Sequence, residues 1–359
     1  MQNTFVAIMA GGVGSRFWPA SRVSRPKQFL DILGVGKSLI QMTYERFLNV
    51  CPAENIFVVT NAIYKEQVKE HLPDLTENQI LCEPSRNNTA PCVAYTALKL
   101  QQLNPDANLI IAPSDHIIIN EINFVETLKD ALAFTEKNNA LLTLGITPTH
   151  PNTGYGYINF GEETESGVHK VVRFTEKPPL EKAKAFLDSG DYLWNAGIFI
   201  WKVSSILNAF QTHAPEIYTI LNGQPECFNT ENEQTFIDEY YPKTPSISID
   251  YAIMEKADNV YTIPSNFGWS DLGTWASLHT ELSKAKPETN VMQCDPIIDM
   301  DCENTIVRTP KDKLVVIKGL NNYIVVDEGD VLMIFPKDKE QEIKGITKQI
   351  KEKGWDKYL

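Results

Sequence analysis

The chain has 359 residues, of which 43% are hydrophobic and 22% charged. This is an ordinary globular composition and enough chain for about two domains. The net charge of −13 excludes a non-specific nucleic-acid binder, and no apolar run approaches the ~20 residues that span a bilayer. The first residues lack a basic patch followed by a long apolar core, so no signal peptide is expected. Six scattered cysteines, at 51, 82, 92, 227, 294 and 302, form no C-x-x-C pair and no zinc spacing. They are expected to be reduced thiols in a cytoplasmic protein.

The first predicted element is a short apolar run, Phe5 to Met9, with no polar residue inside it. It reads as a buried strand. Directly after it comes Gly11-Gly12-Val13-Gly14-Ser15-Arg16, continuing to Pro26-Lys27-Gln28. Three glycines in four positions let the backbone turn sharply and present N–H groups to an anion, and Arg16 and Lys27 add two cations. A phosphate-binding loop at the carboxyl end of a strand is one reading. A glycine-rich turn with two solvated cations is the other.

From residue 5 to about 145, strand and helix patterns alternate. Strands are predicted at 5–9, 56–60, 79–83, 109–112 and 140–145, and helices at 38–48, 62–71, 88–103 and 124–137. Such alternation implies a mainly parallel sheet with helices on both faces, and ligands then gather where strands end and helices begin. After residue 150 the rhythm changes. A glycine-aromatic turn at 154–158, longer strands at 168–174 and 192–201, and a helix at 248–255 read as an elaboration of the same sheet. Residues 285–290 read as a linker between a part spanning 1–285 and a part spanning 286–359. The second part carries short β-type runs at 304–307, 314–318, 323–327 and 331–335, suggesting stacked small strands. A charged helix at 339–353 follows, with Asp338 placed to cap it.

Two familiar motifs fail on spacing. Leu33 to Ser38 resembles the tail of a Walker A loop, but Asp31 stands where its first glycine belongs. Gly12 and Gly14 open a dinucleotide fingerprint whose third glycine place is Phe17.

The first loop with Pro26-Lys27-Gln28 resembles the signature of sugar-1-phosphate nucleotidyltransferases. Glu83-Pro84-Ser85-Arg86-Asn87-Asn88-Thr89-Ala90-Pro91 resembles the E-P-x-x-R-N-T-A-P segment of mannose-1-phosphate guanylyltransferases, and Pro113-Ser114-Asp115-His116 matches their P-S-D-H. Five further segments, beginning at Gly154, Phe174, Trp194, Ser248 and Trp269, match in the same order. The likeness is strong over about residues 5–280 and weaker after that. Asn87 departs from the pattern by standing where many members have Arg. The chain stops before the isomerase domain of fused bacterial members, and a single-activity short form is expected.

The resemblance implies an α/β fold: a Rossmann-like, mixed but mainly parallel sheet flanked by helices, with a small C-terminal β-helix-like domain and a terminal helix. It implies transfer of GMP from GTP to mannose 1-phosphate, with GTP and mannose 1-phosphate as the partners and Mg²⁺ as cofactor. The exposed edges of the C-terminal β-type segment could pair with another subunit, so a homodimer is expected. Gly11, Gly12, Gly14 and Arg16 would bind the nucleotide together with Glu83, Asn88, Thr89, Ala90 and Ser114, where a helix N-terminus offers free N–H donors. Arg16 and Lys27 would be catalytic. Asp115 and Asp271 would hold the metal, or else cap local turns. Gly156, Glu176, Lys177, Asn195 and Asp250 would bind the sugar phosphate. Trp194, Trp269 and Trp275 would stack on sugar or lie in the core.

Overall fold

Buried apolar strands and the helices that cover them account for most of the chain. The structure is a computed structural model that describes residues 3–165, 167–284, 286 and 288–359. Ala285 and Pro287 of the expected linker, and the expected boundary at 285, lie outside the described residues. The chain divides into two compact units. The first holds the residues up to Gly11, Thr43–Ser114 and Ile118–Trp269, and the second holds Gly12–Met42, Asp115–Ile117 and Ser270–Leu359.

The first unit is built on a nine-stranded sheet. In chain order the strands are β1 (Thr4–Met9), β2 (Ile56–Asn61), β3 (Ile80–Glu83), β4 (Asn108–Pro113), β5 (Leu141–Ile146), β6 (Tyr157–Glu165), β7 (Val168–Thr175), β8 (Tyr192–Lys202) and β9 (Val260–Ser265). Their spatial order is β3-β2-β1-β4-β8-β5-β9-β7-β6. Strands β3, β2, β1 and β4 pair in parallel, as do β5 and β9. Strand β8 runs antiparallel to β4, β5 and β6, and β7 runs antiparallel to β9 and β6. The sheet is therefore mixed and mainly parallel. Val6, Ala7 and Ile8 are wholly buried, as a strand covered on both faces must be. One continuous core joins β1 and β4 to the helices Thr89–Leu103 and Val203–His213.

Register brings four strand ends to the same edge. Met9 pairs with Val59 and Pro113, and Asn61 pairs with Glu83. The Ala10 carbonyl accepts the Thr60 hydroxyl at 2.8 Å, and the Ser114 N–H donates to the Met9 carbonyl at 3.0 Å. Gly11, Glu83 and Ser114 thus sit at the carboxyl edge of the sheet, where α/β proteins bind ligands.

The second unit stacks short parallel strands. They are β10 (Val291–Gln293), β11 (Ile297–Met300), β12 (Ile306–Arg308), β13 (Val315–Lys318), β14 (Tyr323–Asp327) and β15 (Leu332–Pro336). Strands β10, β12 and β14 are in parallel register, so Val291, Ile306 and Ile324 form a column. Strands β11 and β13 pair in parallel with each other, and β15 closes antiparallel on β14. The column packs into a core with Phe17, Leu272, Trp275, Ile343 and Ile350. Trp275 is therefore a core residue.

Two predicted helices differ. Residues 248–255 yield only a π-helical turn, Asp250–Met254, because the Glu255 N–H reaches back five residues to the Asp250 carbonyl at 2.9 Å. The C-terminal helix begins as a 3₁₀ segment, Lys337–Glu342, and becomes α-helical over Ile343–Glu352. Asp338 lies inside the 3₁₀ segment, so it is not the cap. The buried Lys337 ammonium donates to the Asn304 carbonyl at 2.7 Å and fixes that earlier start. Among the described residues, no helix is long and apolar enough to cross a membrane.

Candidate active site

In the second unit, one cavity of about 260 Å³ is lined by Gly14, Ser15, Arg16, Lys27, Asp115, His116, Asp271, Gly273 and Lys344. The loop that builds it is pinned by backbone bonds, with Lys27 N–H on the Val13 carbonyl and Phe17 N–H on that of Gly14. Gly14 has φ +71°, and an added Cβ would lie 2.5 Å from the Lys27 Cβ. Both the left-handed backbone and the close approach demand glycine there. Lys27 is only 3% exposed. Its ammonium donates to Asp115 Oδ2 at 2.9 Å and to the Asp271 carbonyl at 2.8 Å, and lies 5.6 Å from the centre of the Phe17 ring.

Burial pushes the Asp115 carboxyl up, but Lys27, aided by His116, outweighs it and holds Asp115 below the ordinary range. Asp271 Oδ1 accepts the Gly273 N–H at 3.0 Å. The buried Nε of Arg16 has no hydrogen-bond partner, an orphan donor that an anion would satisfy. Two carboxylates beside unsatisfied cationic donors fit a hard divalent ion that takes its remaining ligands from phosphate and water. No group of three or more His, Cys, Asp or Glu with metal-binding geometry occurs among the described residues, so the residues fit such an ion and not an all-protein metal cage.

In the first unit, Gly11 lies beside Glu83, whose Oε2 is 3.6 Å from where a Gly11 Cβ would be. Glu83 is buried and accepts a short hydrogen bond from the Tyr241 hydroxyl. Burial pushes its carboxyl up to about 7, against the pull of Tyr241 and Cys92. Asn87 is buried too. Its amide donates to the Tyr241 and Thr244 carbonyls at 3.1 and 2.9 Å and to Thr244 Oγ1 at 2.9 Å. Asn87 therefore ties down the turn carrying Tyr241, the residue that holds Glu83. Asn88, with φ 67°, caps the helix Thr89–Leu103 by accepting the Thr89 N–H.

The expectation of free donors at that helix N-terminus is corrected. The Thr89 N–H is taken by Asn88, and the Ala90 N–H bonds the Ile247 carbonyl at 3.1 Å. The Thr89 hydroxyl accepts the Ile249 N–H at 2.8 Å. This helix start is stitched to the 247–249 segment by its own polar groups. Ser114 is buried, and its carbonyl accepts the Thr43 hydroxyl at 3.2 Å.

The remaining predicted residues of the first unit converge on one another. Asn195 N–H donates to the Gly156 carbonyl at 2.8 Å, and its side-chain amide donates to Asp250 Oδ1 at 3.0 Å. A Cβ on Gly156 would lie 2.6 Å from Glu176 Oε2, so only glycine leaves room for that carboxylate. Glu176 pairs with the Lys177 ammonium, and Lys177 has φ +45°. Burial lowers the Lys177 pKa, but Glu176 outweighs it and the net shift is upward. Burial, and then the Glu176 charge, push the Asp250 carboxyl up to about 7 against the pull of Lys177. Trp194 is buried edge-on to Tyr155, which also meets Trp269 edge-on.

Thr143 and Lys344 carried no sequence signal, and Glu255 closes the matching segment that begins at Ser248 but has no role assigned in it. The Gly197 N–H donates to Asn195 Oδ1 at 3.1 Å and so fixes which end of that amide faces Asp250, with the Thr143 hydroxyl on the same oxygen at 2.7 Å. Glu255 accepts the Glu176 N–H at 2.9 Å. Lys344 lies in a lysine-rich helix and looks like its neighbours in the sequence.

Two family models match the chain: a nucleotidyl transferase over residues 6–288 and a MannoseP isomerase/GMP-like beta-helix domain over residues 295–350. The mannose-1-phosphate guanylyltransferase RfbM of Salmonella typhimurium is 36% identical over 98% of this chain and 73% of its own length. The xanthan biosynthesis protein XanB of Xanthomonas campestris is 37% identical over 99% of this chain and 74% of its own. A crystal structure described as a mannose-1-phosphate geranyltransferase, from Thermus thermophilus, superposes with a TM-score of 0.88 at 28% identity. It covers 98% of this chain and 100% of that one.

Two outcomes are expected. Folding keeps Glu83 and Asp250 protonated up to about pH 7, whereas the unfolded chain releases those protons near the ordinary 4.5 and 3.8. Their contribution to stability is whole below about pH 4 and is lost as pH rises through about 7. Melting temperatures measured from about pH 5 to 8 should fall less steeply in Glu83→Gln and Asp250→Asn than in the unaltered protein; an unchanged slope contradicts the shifts. Asn87→Ala, which leaves the buried Thr244 carbonyl without its donor, should lower stability by about 1–3 kcal/mol in urea unfolding.

Proposed function

Starting from the chain's membership of the mannose-1-phosphate guanylyltransferase family of nucleotidyltransferases, we propose that it transfers GMP from GTP to mannose 1-phosphate, releasing pyrophosphate. The observation that carries this reading is the cavity that gathers Arg16, Lys27, Asp115 and Asp271. A phosphate oxygen of mannose 1-phosphate attacks the α-phosphorus of GTP in line. A new P–O bond forms, the bond to the β-phosphate bridging oxygen breaks, and pyrophosphate leaves with that electron pair. The attacking oxygen is already ionised, so no general base is required. Catalysis is then positioning and charge stabilisation.

Lys27 is suited to stabilise charge at the reacting phosphate because its Asp115 and Asp271 contacts hold its ammonium in place before substrate arrives. Arg16 brings an unsatisfied planar donor for triphosphate oxygens. The loop glycines Gly11, Gly12 and Gly14 leave the backbone open to the nucleotide, and Glu83 at the sheet edge is assigned to the nucleoside. Asp115 and Asp271 are the residues that would hold Mg²⁺, whose positive charge, when bound, offsets that of the reacting phosphates. The cavity lining supports that need: three cations against two carboxylates leave a single net positive charge, too little for a nucleoside triphosphate.

For the sugar, Glu176, Asn195 and Asp250 supply acceptors and a donor for hydroxyls, and Lys177 supplies a cation for the phosphate. Lys177 has a partly exposed ammonium (its side chain is 56% exposed) tethered to the buried Glu176. That arrangement suits a group which must reach an incoming anion and be guided back.

A panel of sugar 1-phosphates and nucleoside triphosphates, read by pyrophosphate release, tests the assignment. Turnover should be greatest with mannose 1-phosphate and GTP, vanish on chelation and return with magnesium. Preferential turnover of another pair would replace the specific substrates, and full activity in chelator would remove the metal. Lys177→Ala should raise KM for mannose 1-phosphate about tenfold or more while KM for GTP stays within about twofold; equal rises in both would sink its assignment to the sugar phosphate.

A further inference from the structure

We infer that Lys344, on the C-terminal helix Ile343–Glu352, is a third cation of the phosphate cavity and binds the terminal phosphates of the nucleoside triphosphate, the pair that leaves as pyrophosphate. The inference rests on the reaction proposed above but concerns a residue far from the matched motifs.

Lys344 lines the same cavity as Arg16 and Lys27. The cavity is unbalanced without an anion. Arg16 carries a buried Nε with no partner, and no ion pair involves the Lys344 ammonium among the described residues. Repulsion from Arg16, and then burial, hold Lys344 below its ordinary value. Two cations facing one space raise each other's energy, and a polyanion between them removes that cost.

Lys344 sits in the first turn of the α-helical part, directly after a 3₁₀ segment that carries Glu340 and Glu342, and among the described residues no ion pair joins its ammonium to either. The apolar face of the helix, Ile343, Ile346 and Ile350, is anchored in the core, and this fixes where Lys344 points. Lys348 and Lys351, further along, line a different and largely apolar cavity with Trp18 and Val23. Lys344 is thus the helix's one lysine on the phosphate cavity.

The division of labour follows from depth. Lys27 is buried and already bonded to Asp115 and the Asp271 carbonyl, so it belongs at the reacting phosphate. Lys344 is exposed at the rim, where the solvent-side end of a triphosphate would lie and where the leaving group must depart. A cation at that place raises affinity for the leaving group without touching the sugar.

Isothermal titration with inorganic pyrophosphate in magnesium chloride tests this without any turnover. The unaltered full-length chain, Lys344→Ala, Lys344→Gln, Lys344→Arg and Lys351→Ala are compared, with melting temperatures as the folding check. Lys344→Ala and Lys344→Gln should weaken pyrophosphate binding about fivefold or more, Lys344→Arg should stay within about twofold, and Lys351→Ala should match the unaltered chain. In kinetics, Lys344→Ala should raise KM for GTP, and for pyrophosphate in the reverse reaction, while KM for mannose 1-phosphate holds. Unchanged pyrophosphate binding in Lys344→Ala and Lys344→Gln, equal weakening in Lys351→Ala, or no binding by the unaltered chain would overturn the inference. Failure to make GDP-mannose while these binding differences persist would overturn the reaction assigned above and leave the role of Lys344 standing.

Discussion

Lys27 is a cation almost wholly removed from water, and its environment makes that tolerable. One carboxylate oxygen, one backbone carbonyl and one aromatic face surround its ammonium. A buried charge of this kind is stable only while its partners stay in place. Those partners come from Asp115 and from Asp271, far apart in sequence. Gly14 is held to glycine by the Lys27 side chain packed against it. The loop, the Asp115 turn and the 270–273 turn therefore stand or fall together, and a phosphate at Lys27, as proposed, would meet donors that need little rearrangement.

The first unit solves a similar problem with opposite charges. Glu176 and Asp250 bring two carboxylates into one enclosed region with a single nearby ammonium, that of Lys177. One lysine cannot fully compensate both, and the Asp250 carboxyl yields by holding its proton to about pH 7. Asn195, oriented by the Gly197 N–H, then points its amide N–H₂ at Asp250. The result is a set of polar groups that suits the proposed exchange of hydrogen bonds with sugar hydroxyls.

Much of this is legible in the sequence because it depends on local pattern. The apolar run of β1, the alternation to residue 145 and the glycine spacing of the first loop each follow from short-range rules, and the ordered segments carry the family resemblance. What was not legible depends on long-range partners. Nothing local says that Asn87 binds the carbonyls of Tyr241 and Thr244, or that the N–H groups of Thr89 and Ala90 are used within the chain. The π-helical turn at Asp250–Met254 and the early 3₁₀ start at Lys337 go with particular hydrogen bonds, Glu255 N–H to the Asp250 carbonyl and Lys337 to Asn304 and Asn322, that periodicity cannot register. Lys344 differs from Lys348 and Lys351 only through the face of the helix that the core fixes.

The chain as a whole is acidic, with a net charge of −13, while its proposed substrates are anions. Average repulsion is overcome only if the positive charge is concentrated where the phosphates react, in a walled space where fields are little screened. Arg16, Lys27 and Lys344 in one cavity of about 260 Å³ supply part of that charge, and the Mg²⁺ proposed for Asp115 and Asp271 would supply the rest. The proposed attack needs no proton transfer to or from these cations. Burial moves the carboxyls of Glu83 and Asp250 up to about 7, and these two are assigned to the nucleoside and the sugar, not to the bond that breaks.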